Sequence, residues 1–459
     1  MSMLSVVARG HCPHSKPIIR PRGAAMGKRR SFACACALWL LLAGCTGAPV
    51  KSAPGETSLR DYHRQWYTPS TASTFSDDVR RSEAPLTIFY DRKGNLYPSA
   101  AVPVATNQLI RGFDERQDAG TLRGYFAREA KSSDTVVQRL ARDAGLADGA
   151  LPSNQWSEEN WQRIQAGYRR QLADRIEAAA DGAPVVFVIH GYRNNYKDAR
   201  DWYTPLDGMI LQHEPRATLV HVYWDGTTGW RFLHLWKQAQ YNMAFIGLEF
   251  RRLLNELPAD MPIRIITHST GAPLVANAMG DASDAFRENG QPVLLEPEYY
   301  VRAAGGDHAA GDDGSYTVKR KSRLRFAAVA PAATLDTFKR YDVARDIVPE
   351  RITMALNPRD SATGKYFLNC ELYGSSCMAV RPVQTCKLLV GTFAASGTDV
   401  GVFDFSRSKE RTPSTARFWS KHSVMAYSKN DRWTPFLRHL LTDTDTASDT
   451  QALCAQPTN

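Results

Sequence analysis

Several patterns that would point to other protein classes are missing from this 459-residue chain. It has no His-Glu-x-x-His spacing for a catalytic zinc ion, and no glycine-rich phosphate loop follows a strand-like segment. It has no basic module interleaved with aromatic residues, as nucleic-acid binding would require, and no internal repeat. The remaining chemistry needs neither a metal nor another cofactor, so we predict none.

Acidic residues are missing from the first 44 positions, and this absence explains the basic balance of the chain. The whole sequence has 57 Lys and Arg against 47 Asp and Glu, a net charge of +10. Seven of the basic residues lie in residues 1–44, so a chain trimmed there has 57 minus 7, or 50, against 47, a net charge of +3. The overall charge therefore does not indicate a nucleic-acid partner.

The beginning of the chain has the layout of an export signal. Met26–Arg30 is basic, Ser31–Leu42 is apolar but short for a bilayer span, and Leu42–Cys45 closes it with small residues before a cysteine. Leu-Ala-Gly-Cys resembles the bacterial lipoprotein processing site, which would make Cys45 the lipidated first residue. Thr46 then favours the outer membrane, facing the periplasm. A plain secretory signal with an incidental cysteine is the alternative.

The most informative segment is an apolar strand that runs directly into a serine. Ile263–His268 is followed by Ser269, Thr270 and Gly271, and then by a helix-like segment. A strand, a sharp turn and a helix in this order raise a serine oxygen above a sheet and direct the next backbone N–H at a developing oxyanion. Thr267 stands where glycine is usual, and an ordinary strand-to-helix connection is the alternative.

A second apolar run predicts the other half of an oxyanion hole. Val185–Ile189 reads as a strand buried on both faces, and it ends in His190–Asn194. A loop after an earlier strand supplies the second oxyanion donor in nucleophile-elbow enzymes, and glycine allows its close approach. We predict backbone donors from Tyr192 and Thr270, and we interpret His190 as a packed structural histidine.

These motifs together resemble the α/β-hydrolase superfamily, and within it bacterial hydrolases with a His-Gly-Tyr loop and a His-Ser-x-Gly elbow. The resemblance covers about residues 184 to 440. It implies an α/β fold with a mostly parallel sheet and helices on both faces. It also implies triad partners that follow the serine in the order Ser, Asp or Glu, His.

That order restricts the base to three histidines after Ser269. His308 comes early, inside a glycine-rich loop, and His439 lies in an amphipathic closing helix, where it reads as a surface or boundary residue. His422 lies in a turn-like stretch before that helix, as suits a base that reaches across a pocket. We predict His422, with His439 as the alternative.

For the acid we predict Asp360, in the loop that leaves a late strand-like segment, 351–356. A carboxylate there can hold the imidazole in the required tautomer. Asp336, after another strand-like segment, is the alternative. Either aspartate could instead be a solvated loop residue.

Composition divides the chain into five parts: a leader with the lipoprotein signal (1–45), a polar tether (46–84), an N-terminal extension (85–150), the α/β-hydrolase domain (151–445) and a tail (446–459). Within the domain, 303–315 and 367–408 read as inserted loops. Four cysteines remain after the leader: Cys370, Cys377, Cys386 and Cys454. In an oxidising compartment, the close spacing of the first three favours at least one disulfide within the segment that lies between Asp360 and His422. Free buried thiols are the alternative.

Three functions remain open. The first is a serine esterase with Ser269, His422 and Asp360 as triad, acting on an acyl ester substrate from a lipid anchor on the membrane. The second is a lipid acyltransferase with the same triad, and the third is a non-catalytic envelope binding protein on the same scaffold. The sequence decides neither the acyl group nor the oligomeric state.

Overall fold

The structure is a computed structural model, and the residues it describes are 85–91, 93–97, 122–132, 135–192, 194, 196–224, 232–280, 287–288, 291–292, 318–319, 321–339, 341–343, 345–364, 377–407, 422–444 and 446–457. The predicted lipidation site Cys45, the tether, the loop 303–315 and His308 lie outside these residues. Within them, no helix combines the length and the apolar character needed to cross a bilayer.

The described core is one seven-stranded sheet whose neighbouring strands are all parallel. The strand order is β1-β3-β2-β4-β7-β8-β9, and β5 and β6 form a separate two-residue ladder. The strands are β1 (Leu86–Tyr90), β2 (Val185–Ile189), β3 (Thr218–Trp224), β4 (Ile263–His268), β5 (Arg287–Glu288), β6 (Gln291–Pro292), β7 (Leu324–Val329), β8 (Arg351–Leu356) and β9 (Asp399–Asp404).

Both faces of this sheet are covered, because side chains along each strand alternate between two hydrophobic clusters. In β2, Val185, Phe187 and Ile189 join one cluster, and Val186 and Val188 join the other. A strand with period-two side chains can supply two cores only if helices pack on each side. The predicted α/β fold class is therefore confirmed.

The described helices are α1 (Leu122–Ser132), α2 (Thr135–Asp143), α3 (Glu158–Ala180), α4 (Tyr196–His213), α5 (Phe232–Glu256), α6 (Gly271–Met279), α7 (Asp336–Lys339), α8 (Ser361–Gly364), α9 (Cys377–Val380), α10 (Pro382–Phe393), α11 (Val424–Tyr427), α12 (Trp433–Leu441) and α13 (Thr450–Cys454). Helices α4 and α12 pack in the cluster of Val186, whereas α5, α6 and α10 pack in the cluster of Val185.

Local chemistry determines where α3 begins and where it ends. The Ser157 hydroxyl accepts the Asn160 N–H at 3.1 Å, which satisfies one of the donors left unpaired at a helix start. At the other end, Asp181 and Gly182 adopt left-handed conformations with φ of 44° and 76°. Helix capping and glycine's freedom at positive φ therefore explain why α3 begins and ends at these residues.

Two segments described from the sequence as additions contribute strands to the sheet. β1 comes from the predicted N-terminal extension and pairs with β3, and one antiparallel bridge joins its Tyr90 to Leu96. β9 comes from the predicted insertion 367–408 and pairs with β8. The interpretation of 399–404 as part of an inserted loop is wrong, because this segment completes the sheet. The domain boundaries themselves stay predictions.

The described disulfide joins Cys386 of α10 to Cys454 of α13. It links the C-terminal tail to the domain, and tail backbone and side-chain groups also bond to β9, including Asp449 N–H to the Val402 carbonyl at 2.8 Å. Cys370 lies outside the described residues, so a bridge confined to the segment between Asp360 and His422 stays a prediction.

Strand order also indicates where a ligand would meet the sheet. β2 leads into α4 on one face and β4 leads into α6 on the other, although β2 and β4 are neighbours. Such a change of direction opens a crevice outside the carboxyl ends of the two strands. The loop after β2 and the turn after β4 are the two segments predicted to form the site.

Candidate active site

Ser269 occupies a strained turn between β4 and α6. Its φ is 54°, in the left-handed region that few residues other than glycine adopt. The Ser269 N–H donates to the Val329 carbonyl at 2.9 Å, and the Ser269 carbonyl accepts the Ala332 N–H at 3.1 Å. The neighbouring strand β7 and the loop after it therefore maintain a conformation that costs roughly 1–3 kcal/mol in isolation.

The turn tolerates threonine where glycine is usual, because the crowded position lies elsewhere. The Thr267 hydroxyl donates to the Ala327 carbonyl at 3.1 Å, which satisfies its polar group within the sheet. Gly271 is the constrained residue: a Cβ there would lie 3.0 Å from the Ile189 carbonyl oxygen and 3.1 Å from that of His190. The glycine of the motif thus allows α6 to start against the end of β2.

His422 connects Ser269 to Asp360. Its Nε2 lies 3.0 Å from Ser269 Oγ, and its Nδ1 lies 2.7 Å from Asp360 Oδ2. A carboxylate only accepts, so Nδ1 carries the proton in the neutral ring and Nε2 is left to accept the serine hydroxyl. This is the tautomer in which an imidazole can remove the proton of an attacking serine.

The Asp360 carboxylate is fully buried and held by several donors. Besides His422, its Oδ1 accepts the backbone N–H groups of Ala362 at 2.9 Å and Thr363 at 3.3 Å, and the Tyr427 hydroxyl lies 3.4 Å from its Oδ2. Burial raises the pKa of Asp360, but the charge and hydrogen bond of His422 and the two N–H groups outweigh it, so the pKa lies below its usual value. Asp360 is therefore ionised near neutral pH.

The alternative acid does not approach these residues. Asp336 starts α7 with a side chain that is two-thirds exposed, and its carboxylate contacts Lys339 at 2.6 Å. It is a solvated aspartate in a surface pair, which is the ordinary fate of this residue type.

Gly191 brings the loop after β2 against the serine. A Cβ at this position would lie 2.7 Å from Ser269 Cβ, 2.8 Å from the His268 carbonyl oxygen and 3.3 Å from Ser269 Oγ. Only glycine allows the backbone to come so close. The Tyr192 N–H follows directly in this loop, and Thr270, the N-cap residue of α6, directly follows the serine.

His190 fixes the orientation of that loop. Its Nε2 accepts the Trp224 N–H at 3.1 Å, so its Nδ1 carries the proton and donates to the Gly191 carbonyl at 2.9 Å. Asn194 Nδ2 donates to the same carbonyl at 3.1 Å. Because a trans peptide is planar, the Tyr192 N–H points away from these donors. The interpretation of His190 as a packed, structural residue is confirmed: it is fully buried and stacks on Trp224.

Burial also keeps His190 neutral. Desolvation lowers the pKa of His190 to about 4, and its bond to the Gly191 carbonyl only partly opposes that effect. The donor and acceptor roles of its two nitrogens therefore persist at neutral pH.

The interpretation of His439 as a surface or boundary residue is wrong. The ring is buried, with Nδ1 2.8 Å from the Thr353 hydroxyl and Nε2 3.3 Å from Asp399 Oδ2. An amphipathic pattern predicts which face of a helix is apolar. It does not predict that a polar residue of that helix is buried against a neighbouring strand.

One close contact of the site has no counterpart in the motif analysis. His268 Nε2 lies 2.6 Å from the backbone carbonyl oxygen of His422, and the two rings are 4.9 Å apart. Its only sequence signal is its place directly before Ser269, which gives no information about a partner 154 residues later.

Among the described residues, no cluster of three or more His, Cys, Asp or Glu side chains could hold a metal ion. Comparison of the chain with protein-family models, with curated proteins and with solved structures gives no match. Arguments about function therefore depend on the geometry of the site.

Proposed function

We propose that this protein is a serine hydrolase of the α/β-hydrolase type that cleaves carboxylic esters through an acyl-enzyme. The observation that carries the proposal is the connected chain of Ser269 Oγ, the His422 imidazole and the Asp360 carboxylate, with distances of 3.0 and 2.7 Å, at a strand-to-helix turn. Nucleophile, base and orienting acid are each within hydrogen-bond reach of the next, which is the geometric requirement for nucleophilic catalysis.

In the first half-reaction, Ser269 Oγ attacks the ester carbonyl carbon while its proton moves to His422 Nε2. The tetrahedral intermediate collapses by breaking the bond to the alcohol oxygen, which takes the proton from Nε2 and leaves. In the second half-reaction, His422 removes a proton from water as the water attacks the acyl carbon, and Ser269 regains a proton when the carboxylic acid departs. Asp360 stabilises the imidazolium at each stage.

The negative charge on the carbonyl oxygen needs preorganised donors. We assign this role to the backbone N–H groups of Tyr192 and Thr270. Two observations support the assignment: Gly191 allows the first loop to approach Ser269, and His190 sets the orientation of the peptide that contains the Tyr192 N–H. Such donors are often the largest single contribution to the rate enhancement of acyl transfer, because they are already oriented and need no reorganisation during the reaction.

We further propose that the protein is anchored in the outer membrane of the cell envelope by a lipid on Cys45, faces the periplasm, and acts on membrane lipids or other acyl esters.

 This part of the proposal depends on the sequence of the leader alone, 26–46, where a basic start and an apolar stretch precede the small residues before the cysteine. Globomycin-sensitive processing in a bacterial host and a mass increase on the peptide that begins at Cys45 would test it.

The decisive experiment is labelling with a serine-directed phosphonate, followed by identification of the modified peptide. We expect one adduct, on Ser269, and hydrolysis of short acyl esters by the same preparation. A Ser428→Ala variant is the matched control, because Ser428 caps a nearby helix, its hydroxyl donates to the Met425 carbonyl, and no described hydrogen bond joins it to the triad. It should label like the wild type. A folded protein that gives no adduct would contradict the proposal and leave the binding-protein hypothesis.

Product analysis with a competing alcohol separates hydrolysis from acyl transfer to another acceptor. The same acyl-enzyme serves both reactions, so the adduct on Ser269 cannot distinguish them. We expect more free acid than new ester when water and the alcohol compete for the same acyl-enzyme. An excess of the new ester would indicate an acyltransferase.

A further inference from the structure

The residue before the serine is bonded to the backbone of the residue proposed as the base. His268 is buried, and its Nε2 lies 2.6 Å from the His422 carbonyl oxygen. A carbonyl oxygen only accepts, so the proton of the His268 ring is on Nε2 and His268 is the donor. The bond connects β4, which positions Ser269, to the segment that positions the base.

We propose that His268 is a positioning residue, whose Nε2–H holds the His422 backbone so that the His422 ring stays in line between Ser269 and Asp360. The inference builds on the acyl-transfer function proposed above and adds a fourth side chain to its machinery. His268 takes no part in the proton transfers, and it acts through the backbone of His422.

The need for such an anchor follows from how His422 is held. The bonds to Ser269 and Asp360 both involve its ring, and the bond to Ser269 changes as the proton moves. The bond from His268 holds the main chain of the same residue and does not change during the reaction. Misplacing a reacting group by about 1 Å can cost on the order of 100-fold in rate, so a fixed backbone at the base has a measurable effect.

Packing keeps His268 in the orientation that the bond needs. The Trp202 ring packs edge to face against the His268 ring, with centroids 5.8 Å apart. The centroid of the His422 ring lies 4.9 Å from that of His268. His268 Nδ1 is buried and has no hydrogen-bond partner in the described part of the chain, so nothing there stabilises a second proton.

The ring is consequently neutral. Burial, reinforced by the charge of His422, lowers the pKa of His268 to about 3. A neutral neighbour does not repel the imidazolium that forms on His422, whereas a protonated one would.

A pair of substitutions separates the hydrogen bond from the packing. Gln places an amide nitrogen near the position of imidazole Nε2, whereas Met has a similar length and no donor. We expect His268→Met to lower kcat for a short acyl ester, and the rate of phosphonate labelling, on the order of 10- to 100-fold with KM nearly unchanged. We expect His268→Gln to stay within about 3-fold of the wild type for both rates, because its amide replaces the donor.

A matched control shows whether loss of a buried histidine is itself the cause. His439→Gln alters another buried histidine, which bonds to Thr353 and has no described hydrogen bond to the triad. It should lower the melting temperature and leave kcat of the folded protein unchanged. Equal losses of kcat in His268→Gln and His268→Met would overturn the inference, because the packing rather than the donor would then matter. Unchanged rates in His268→Met would also overturn it.

A spectroscopic measurement tests the inference apart from turnover. With ¹⁵N-labelled histidine, the proton on His422 Nδ1 bonded to Asp360 should give a downfield NMR signal in the wild type and in His268→Gln. In His268→Met the signal should broaden or move upfield. A protein that fails to label on Ser269 but shows this pattern would contradict the proposed function and support the positioning role. An identical signal in all three proteins would contradict the positioning role.

Discussion

The described residues include two chains of hydroxyl, imidazole and carboxylate whose surroundings differ. Ser269, His422 and Asp360 form the first, with distances of 3.0 and 2.7 Å. Thr353, His439 and Asp399 form the second, with distances of 2.8 and 3.3 Å. Residue types and distances are therefore nearly the same, and the difference lies in where each hydroxyl is held.

The two hydroxyls lie at different levels of the sheet, one within a strand and the other beyond the end of a strand. Thr353 is the third residue of β8, paired with Ala327 and Gly401 in the neighbouring strands, and it is fully buried. Ser269 follows the last residue of β4, in a left-handed turn beside the loop that contains Gly191. The carboxyl ends of parallel strands are where ligands bind, since loops there diverge and leave a crevice.

The carboxylates differ as well. The Asp399 side chain is half exposed and pairs with Arg351 Nε at 3.0 Å, so solvent and a guanidinium share its charge. The Asp360 side chain is fully buried, with backbone N–H groups and His422 around it. A buried carboxylate with a single imidazole partner stabilises the imidazolium more strongly than a solvated one. The comparison shows that a triad is defined by its surroundings as much as by its three residues.

The largest expected effect is the difference in kcat between removing the Ser269 hydroxyl and removing the Thr353 hydroxyl. Ser269→Ala removes the proposed nucleophile, and we expect kcat for a short acyl ester to fall on the order of 10⁴-fold or more. Thr353→Val removes the hydroxyl of the second chain and should leave kcat unchanged, with some loss of stability, because His439 Nδ1 loses its donor. Steady-state kinetics of both variants, with circular dichroism as a check on folding, would decide. Retained turnover in Ser269→Ala would refute the assignment of the nucleophile.

The carboxylates should differ almost as much. Asp360→Asn replaces an acceptor with a group that favours the wrong tautomer of His422, so we expect a loss of roughly 10³- to 10⁴-fold in kcat. Asp399→Asn is the matched change in the second chain, and its kcat should match the wild type. The same ester assay measures both, and comparable losses in the two variants would mean that the comparison is wrong.

Substitutions at two glycines provide a third test, with an expected effect of intermediate size. In Gly191→Ala the new Cβ would lie 2.7 Å from Ser269 Cβ, so the loop must retreat and we expect kcat to fall on the order of 100-fold. In Gly401→Ala it would lie 2.6 Å from His439 Cε1, where overpacking should cost about 1–3 kcal/mol of unfolding free energy with kcat retained. Kinetics and urea unfolding of both variants test this, and a kinetic loss in Gly401→Ala would count against it.

The smallest expected effect is on stability at acidic pH. Burial lowers the pKa of His190 from 6.5 to about 4, and it also lowers that of His439. The unfolded chain therefore binds protons that the folded rings do not bind, so the unfolding free energy falls as pH decreases below about 6.5. For His190, whose pKa is lowered to about 4, the slope is up to about 1.4 kcal/mol per pH unit. Urea unfolding between pH 7 and pH 5 measures this slope.

A variant assigns part of that slope to the second chain. His439→Gln should unfold with a shallower pH dependence than the wild type, while the contribution of His190 remains. An unchanged slope in the variant would show that His439 is equally protonated in the folded and unfolded states.

Much of the site could be predicted because local patterns report local structure. Periodic apolar runs indicate β2 and β4, and the residues that follow them, from His190 and from Ser269, belong at the same edge of a parallel sheet. The chain order of the superfamily that the motifs resemble then limits the acid and the base to a few residues. The roles of the assembled residues stay predictions until the experiments above are done.

Other features could not be predicted because they depend on contacts between distant segments. The membership of β1 and β9 in the sheet depends on pairing with strands β3 and β8, and a short strand-like run does not specify its neighbour. The burial of His439 depends on Thr353 and on the absence of a side chain at Gly401. The local sequence pattern of the helix that contains His439 predicts neither of these two partners.

The sequence by itself determined the strand that leads into Ser269, since hydrophobic periodicity and turn chemistry are local properties. Its motifs also resemble a superfamily, and that resemblance implied the α/β class and limited the acid and the base to a few residues. Only the tertiary structure decided which histidine meets the serine, and that His268 reaches the backbone of His422. Those contacts span 153 and 154 positions along the chain, and they form only where parallel strands bring separate loops to one edge of the sheet.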